Sequence, residues 1–410
     1  MFTAGQSYVS KEALENLKYY KYASIDKSYV TKYVLRHYWE WATTLFPRWM
    51  APNLITLCGL GFVVANLAMI AIWIPDLYGP APSWMYFSFA AGIWLYSTFD
   101  NVDGKQARRT GTSSPLGELF DHGVDALNCS LGALLQAAGM GLGQSWYTVF
   151  IVALTTTPFY FSTWEEYHTG VLYLGYVNGP TEGLIISCVA LCISGVYGPD
   201  VWFQLFHETF AGILPSSLLN LVPADMALID LLVSSMLFLL VFTQLPACLY
   251  GVNVACKRKG TSFAGAIAQL LPMAIYLVAT ISWILSPYSS LLANNHLILF
   301  TVTVGLVFGR VATKIILAHL TRMPFPWFTV MMIPLVAGSL MVNAPYLFGA
   351  TVLTADTELY YLCAFTVFAT VAYGHWALLV IDRFCTHLGI RCLTIPHGKT
   401  AAAAKNGKSQ

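Results

Sequence analysis

Asp100, Asp103, Asp121 and Asp125 fall within 26 consecutive positions, with Lys105, Arg108, Arg109, Glu118 and His122 among them. The first two aspartates are three positions apart and the second pair four, so each pair shares a face if its segment is helical. Two such faces brought together present four carboxylates to one point. Carboxylates grouped in this way at a membrane boundary repel and are costly to desolvate unless something compensates them. Hard divalent cations such as Mg²⁺ or Mn²⁺ do so, because they prefer oxygen ligands and readily add phosphate oxygens. Two such ions about 4 Å apart can stabilise both the attacking and the leaving oxygen of an in-line phosphoryl displacement. Gly104 and Gly117 would let backbone or ligand approach closely. Lys105, Arg108 and Arg109 are suited to neutralising phosphates.

The elements that must position this group are helices in a bilayer. The chain has 410 residues, of which 57% are hydrophobic and only 10% charged, with a mean hydropathy of +0.62. Soluble domains carry about 25% charged residues. So little charge cannot screen so much apolar surface. A soluble enzyme, a disordered scaffold, a secreted disulfide module and a nucleic-acid binder are therefore excluded. The net charge of +1 gives no sign of a polyanionic partner. Nine cysteines include no C-x-x-C pair and no zinc-ligand rhythm, so they read as packing residues and no disulfide framework is expected. The first 50 residues lack the apolar core of a cleaved signal. The fold class is an all-α polytopic membrane protein.

A helix crosses a bilayer core with roughly 20 apolar residues. Ten segments qualify, near 53–74, 84–99, 122–144, 146–162, 182–198, 225–250, 265–285, 296–318, 324–342 and 358–381. Threading ten spans places every one of the 21 Lys and Arg on or near one side, together with both termini. By the positive-inside rule that side is cytosolic. Residues 1–52 precede the spans. Within them, Val30, Val34, Tyr38, Trp41 and Leu45 recur at helical spacing, opposite Lys32, Arg36 and Glu40, and predict an interfacial amphipathic helix. By analogy rather than deduction, residues 53–250 are expected to hold the catalytic helices and 251–390 a scaffold or dimer surface, and 391–410 form a polar tail expected to be disordered from Lys399 onward.

The pattern D-x2-D-G-x2-A-R-x8-G-x3-D-x3-D, met here by Asp100, Asp103, Gly104, Ala107, Arg108, Gly117, Asp121 and Asp125, resembles the signature of the CDP-alcohol phosphotransferases. The stretches Leu17–Asp26, Pro47–Thr56, Pro115–His122, Phe161–His168 and Asn178–Gly183 resemble the eukaryotic choline/ethanolamine branch of that family. The resemblance implies that Asp100, Asp103, Asp121 and Asp125 hold two divalent ions (Mg²⁺ or Mn²⁺). It also implies that Asn53 and the segment Gly104–Arg108 help to seat the CDP moiety. It implies transfer of phosphocholine or phosphoethanolamine from CDP-choline or CDP-ethanolamine to diacylglycerol, with loss of CMP, in the endoplasmic reticulum or Golgi. Ser97 and Asn101 depart from the Gln and Ala usual in the family and leave the head group open.

An attacking hydroxyl needs a base or a metal. His122, with Glu118 four residues before it, is one candidate, since a carboxylate so placed fixes a tautomer and raises basicity. Asp125 is the other. A cation site for the head group is expected from Trp164, Glu165, Glu166, Tyr173 and Glu182, because aromatic faces and carboxylates suit an ammonium. The aromatics Tyr173 and Tyr176 also fit an interfacial belt. Arg310 and Lys314 share a helical face and fit either snorkelling or contact with a lipid phosphate. A secondary transporter would also combine ten helices with acidic residues, but it should carry inverted repeats and midplane charges. Another head group or acceptor is the nearer alternative.

Overall fold

The structure, a computed structural model, describes residues 8–395, so Lys399, Lys405, Lys408 and the rest of the expected tail beyond 395 lie outside the described residues. Ten helices follow the ten apolar segments: α1 (Pro52–Trp73), α2 (Ser83–Thr110), α3 (Pro115–Gly139), α4 (Trp146–Thr169), α5 (Gly179–Tyr197), α6 (Leu228–Lys259), α7 (Phe263–Ile284), α8 (Leu297–Thr321), α9 (Met332–Val342) and α10 (Ala355–Leu388). Six of them (α1, α5, α6, α7, α8 and α10) are long and apolar enough to cross a membrane. The chain is an all-α polytopic membrane protein.

Several boundaries differ from expectation, including those of α6, which ends at Lys259, and α10, which ends at Leu388; those of α2, α3, α4 and α9 bear on the site or on the spans. α2 runs 11 residues beyond position 99 and stops at Thr110, where Gly111 turns left-handed at φ 67°. α3 starts at Pro115 rather than 122, because Pro suits the first helical position and the Ser114 side chain accepts the Gly117 N–H. α4 continues to Thr169, so Trp164–His168 lie on its last turns and not in a connection. α9 covers only 11 residues, about 16 Å at 1.5 Å per residue, and does not span a bilayer core alone. Residues 323–329 carry no helix, in keeping with Pro324 and Pro326, which offer no N–H to a helix.

The connections separate to opposite ends. At one end the Gly143 N–H meets Leu77 O at 3.0 Å, Gln144 meets Pro75 O at 3.2 Å and accepts from the Leu297 N–H at 3.1 Å, and Glu358 receives Ser290. At the other end Asn16 reaches Thr321 O at 2.9 Å, Tyr167 reaches Met323 O at 3.1 Å, Lys259 reaches His168 O at 2.6 Å, and Met50 bridges to Thr394. This alternation is the one that gathers the described basic residues toward a single end.

α8 passes through the middle of the molecule and is largely buried. Lipid tails are as apolar as Leu, so helix association rests on close packing rather than on hydrophobicity, and small residues mark the contacts. A Cβ at Gly305 would stand 2.8 Å from the Ser130 Cβ, and one at Gly309 would stand 2.8 Å from Leu127 Cδ2. α8 thereby lies directly against α3, the helix that carries Asp121 and Asp125.

The helix Arg36–Leu45 forms as expected, after a wide turn at Thr31–Leu35. It has three faces. Leu35, Trp39 and Ala42 are buried in the protein; Val34, Trp41 and Leu45 form an exposed apolar edge; Arg36 pairs with Glu40 at 3.1 Å. A short parallel sheet was not foreseen: β1 (Ser24–Asp26) pairs with β2 (Leu172–Leu174), Ile25 opposite Tyr173. Three residues are too few to establish a period of two.

Candidate active site

α2 and α3 form a helical hairpin whose turn is residues 111–114. Near that turn the two helices bring their acidic faces together. Asp100 and Asp103 on α2 stand close enough to Asp121 and Asp125 on α3 for the four carboxylates to act on one another's charge. Two hydroxyls from neighbouring faces hold the group in place. Thr56 on α1 donates to Asp103, and Tyr96 on α2 donates to Asp125. Neither was singled out from the sequence. Tyr96 carries a usable signal, since Tyr96, Asp100 and Asp103 repeat at helical spacing. Thr56 carries only its place one turn after Asn53.

The residues present fit a cation. Asp121 Oδ1 is buried without a hydrogen-bond partner. Among the described residues no Lys or Arg forms an ion pair with any of the four aspartates. Asp121, His122 and Asp125 each offer a ligand atom within 4.8 Å of the others. An all-carboxylate set left uncompensated by basic side chains suits a hard divalent ion.

Beside this group stands a second one. Glu118, His122 and Glu166 bring one ligand atom each to within 4.8 Å of one another. Both glutamates are buried. Glu118 Oε2 accepts the Tyr20 hydroxyl at 2.7 Å, and His122 Nε2 stands 4.0 Å from Asp121 Oδ2. The expected neighbours Glu118 and His122 are thus adjacent, and Glu166 joins them from α4.

The basic residues divide. Lys105 Nζ lies 4.0 Å from Glu40 Oε1, and an open cleft of about 470 Å³ is lined by Arg36, Glu40, Thr43, Lys105 and Arg108. Ala107 follows Asp103 by one turn on α2. A Cβ at Gly104 would meet only Arg108 Nη1, at 3.6 Å. Arg109 is used differently from the phosphate role expected of it. Its Nη1 donates to Thr43 O at 2.7 Å and Phe46 O at 3.0 Å, closing the C-terminal end of the helix Arg36–Leu45. Asn53 is buried, with its Oδ1 3.8 Å from where a Gly117 Cβ would stand and its Nδ2 donating to Cys392 Sγ at 3.5 Å.

The residues expected to form one head-group site are not brought together. Trp164, fully buried, donates its Nε1–H to Ala266 O at 3.2 Å. Glu165 turns toward α6, where a Cβ at Gly251 would collide with its Oε1. Only Glu166 faces His122. Successive helical residues fan out by about 100° each, which separates the three. Tyr173 lies on β2 with its ring centroid 5.4 Å from Lys27 Nζ, an ammonium that also stands 5.6 Å from the Tyr176 ring. Glu182 accepts the Ser28 hydroxyl at 2.5 Å and the Asn178 N–H at 3.0 Å, tying the N-terminal segment to the α4–α5 connection. Arg310 neither snorkels nor reaches the surface. It is buried with its guanidinium 4.1 Å from the Trp376 ring centroid, while Lys314 donates to Phe328 O at 2.5 Å.

Fold and site together define a helical membrane protein with an acidic cluster between two of its helices that could hold a metal ion. Comparison with known proteins gives the family. The sequence profile described as CDP-alcohol phosphatidyltransferase matches residues 49–214. Choline/ethanolaminephosphotransferase 1 of Saccharomyces cerevisiae is 39% identical over 80% of this chain and 83% of its own. Choline/ethanolaminephosphotransferase 2 of Arabidopsis thaliana is 34% identical over 95% and 98%, and cholinephosphotransferase 1 of S. cerevisiae is 32% identical over 96% and 99%. The chain belongs to the CDP-alcohol phosphatidyltransferase family and is an enzyme of it, so the transporter reading is set aside.

Proposed function

We propose that this enzyme transfers phosphocholine, phosphoethanolamine or both from the CDP-aminoalcohol to the free hydroxyl of diacylglycerol, releasing CMP. The observation that carries the reading is the convergence of Asp100, Asp103, Asp121 and Asp125 without a basic partner among the described residues. The names of relatives that align over nearly the whole chain support choline and ethanolamine as head groups. Asp100, Asp103, Asp121 and Asp125 would hold two ions, Mg²⁺ or Mn²⁺. When bound, these supply charge neutralisation for the phosphates and for the oxygens entering and leaving phosphorus.

The chain's own groups do the rest. Asn53, Gly104, Ala107, Arg108 and Gly117 seat the CDP moiety, and Lys105 adds positive charge beside them. The acceptor oxygen forms the new P–O bond as the bond to the CMP phosphate breaks, and CMP leaves as the anion. The acceptor's proton passes to His122. Glu118, fixed by Tyr20, orients the imidazole, and Glu166 strengthens its basicity. Asp125 is the less favoured base, because its carboxylate already accepts from Tyr96. Thr56 and Tyr96 hold Asp103 and Asp125 in their ligating orientation.

Nucleotide enters from the cytosol, the side that holds the basic residues, and diacylglycerol enters laterally from the bilayer. The enzyme resides in the endoplasmic reticulum or Golgi, with α7–α10 offering a dimer surface. The test is mass analysis of the lipid formed when the purified enzyme, Mg²⁺ and diacylglycerol are given isotopically labelled CDP-choline or CDP-ethanolamine. Label in phosphatidylcholine or phosphatidylethanolamine is the expected result. Label appearing only in water-soluble product would refute the acceptor.

A further inference from the structure

The face of α3 that carries Asp121 and Asp125 continues into the membrane with Asn128 and then Gly132, at the spacing of one helical face. Asn128 is more than nine-tenths buried, and neither Nδ2 nor Oδ1 has a hydrogen-bond partner. The Tyr96 hydroxyl is a polar neighbour, but its proton goes to Asp125 and neither amide atom meets hydrogen-bond geometry with it. An unpaired buried amide is costly, more so in a bilayer, where no water substitutes. One turn deeper, a Cβ at Gly132 would touch nothing within 4 Å. Small residues inside a packed helix bundle normally face a closely packed neighbouring helix, as Gly305 and Gly309 face the Ser130 and Leu127 side chains. Gly132 faces open space instead.

We infer that Asn128 and the space at Gly132 seat the glycerol end of the lipid acceptor. This rests on the transferase reading given above and names the residues that choose its acceptor. The face grades from carboxylates through an amide to the open space beside Gly132. A neutral glycerolipid grades in the same order, from free hydroxyl through ester carbonyl to acyl chain. The Asn128 Nδ2 would donate to an ester carbonyl, and one acyl chain would run past Gly132. The acceptor hydroxyl then lies on the side of Asn128 nearer Asp125, about 4.5 Å along the helix axis. Asn128 acts here as a positioning residue.

Initial rates with CDP-choline and CDP-ethanolamine are compared for a diester glycerolipid (dioleoylglycerol) and its diether analogue, in the wild type, N128L, N128S and G132L. CDP affinity is measured in parallel by calorimetry. Wild-type enzyme should favour the diester, since a site built to pair with a polar group rejects an analogue lacking it. N128L should raise the KM for dioleoylglycerol about tenfold and bring the diester-to-diether ratio close to one. CDP affinity should stay within about twofold, because Asn128 does not reach the nucleotide seat. N128S, which keeps a donor, should restore much of the ester preference. G132L should raise the KM for both glycerolipids alike. An N128L enzyme that keeps its ester preference, or loses CDP affinity in step with the acceptor, overturns the inference alone. A wild type that transfers to neither glycerolipid overturns the transferase reading, and this inference with it.

Discussion

The Tyr20 hydroxyl donates at 2.7 Å to Glu118 Oε2, joining the N-terminal segment to the first turn of α3. Leu14 and Leu17 anchor that segment among Leu116, Leu119, Ile316 and Leu320, and Asn16 fastens it to the end of α8. Burial, and after it the charge of Glu118, push the Tyr20 phenol above its ordinary range, so it remains a donor throughout the working range of the enzyme. Y20F should lower kcat about three- to tenfold, with little change in the KM for the CDP donor. The deficit should be constant between about pH 6 and pH 9, because the phenol does not titrate there. Steady-state kinetics across pH check this, and a donor KM that rises in proportion would assign Tyr20 to substrate binding instead.

Thr56 and Tyr96 support the carboxylates from outside. T56V and Y96F should each weaken the apparent affinity for the activating divalent ion about tenfold or more, as removal of such outer partners commonly does. Saturating ion should recover most of the rate. Titration of activity with Mn²⁺, paired with direct Mn²⁺ binding by electron paramagnetic resonance, distinguishes this from a loss of folded enzyme.

Arg108 and Arg109 are adjacent in sequence but differ in surroundings, Arg108 lining the cleft with Lys105 and Arg109 donating to Thr43 O and Phe46 O. R108A should raise the KM for the CDP donor about tenfold, the loss expected for a charge-assisted contact to phosphate. R109A removes the donors that close the helix Arg36–Leu45, and should lower stability by about 1–3 kcal/mol. Its donor KM should stay within about twofold of wild type. Thermal unfolding in detergent and donor kinetics, measured on both variants, should give opposite rank orders.

Glu358, at the far end of the molecule, accepts from Trp283 Nε1 at 3.0 Å, the Ser289 hydroxyl at 2.7 Å, and the Ser290 N–H and hydroxyl at 2.8 Å each. It is buried and pins the α7–α8 connection to the start of α10. E358L leaves these donors unpaired, so about 2–4 kcal/mol of stability should be lost. Activity per folded molecule should not change. A fall in specific activity at a temperature where the variant is fully folded would show coupling between the two ends.

What the sequence made legible follows from period and charge. The two aspartate pairs sit at helical spacing, and scarce charge elsewhere made them conspicuous, so the acidic convergence could be anticipated before any coordinates. The basic residues traced one end of the bundle for the same reason. Contacts between distant segments left no such trace. Nothing around Tyr20 marks Glu118 as its partner, and β1 and β2 are too short to show alternation. Trp164, Glu165 and Glu166 look like one cluster when read in line, yet a helix points them at α7, α6 and His122 in turn. Arg109 could not be told from Arg108 without seeing that the end of the helix Arg36–Leu45 lies beside it. Asn128 reads as one polar residue in an apolar span until its burial and missing partners are known.

CMP release from CDP-choline and CDP-ethanolamine, with diacylglycerol and Mg²⁺ or Mn²⁺, measures the central claim most directly. The wild-type enzyme should release CMP from at least one donor only when the divalent ion and diacylglycerol are both present. D121N should reduce that rate by at least about a hundredfold while the protein stays folded. CMP release that persists after chelation of all divalent ions, or no release from either donor by folded enzyme, would contradict the account.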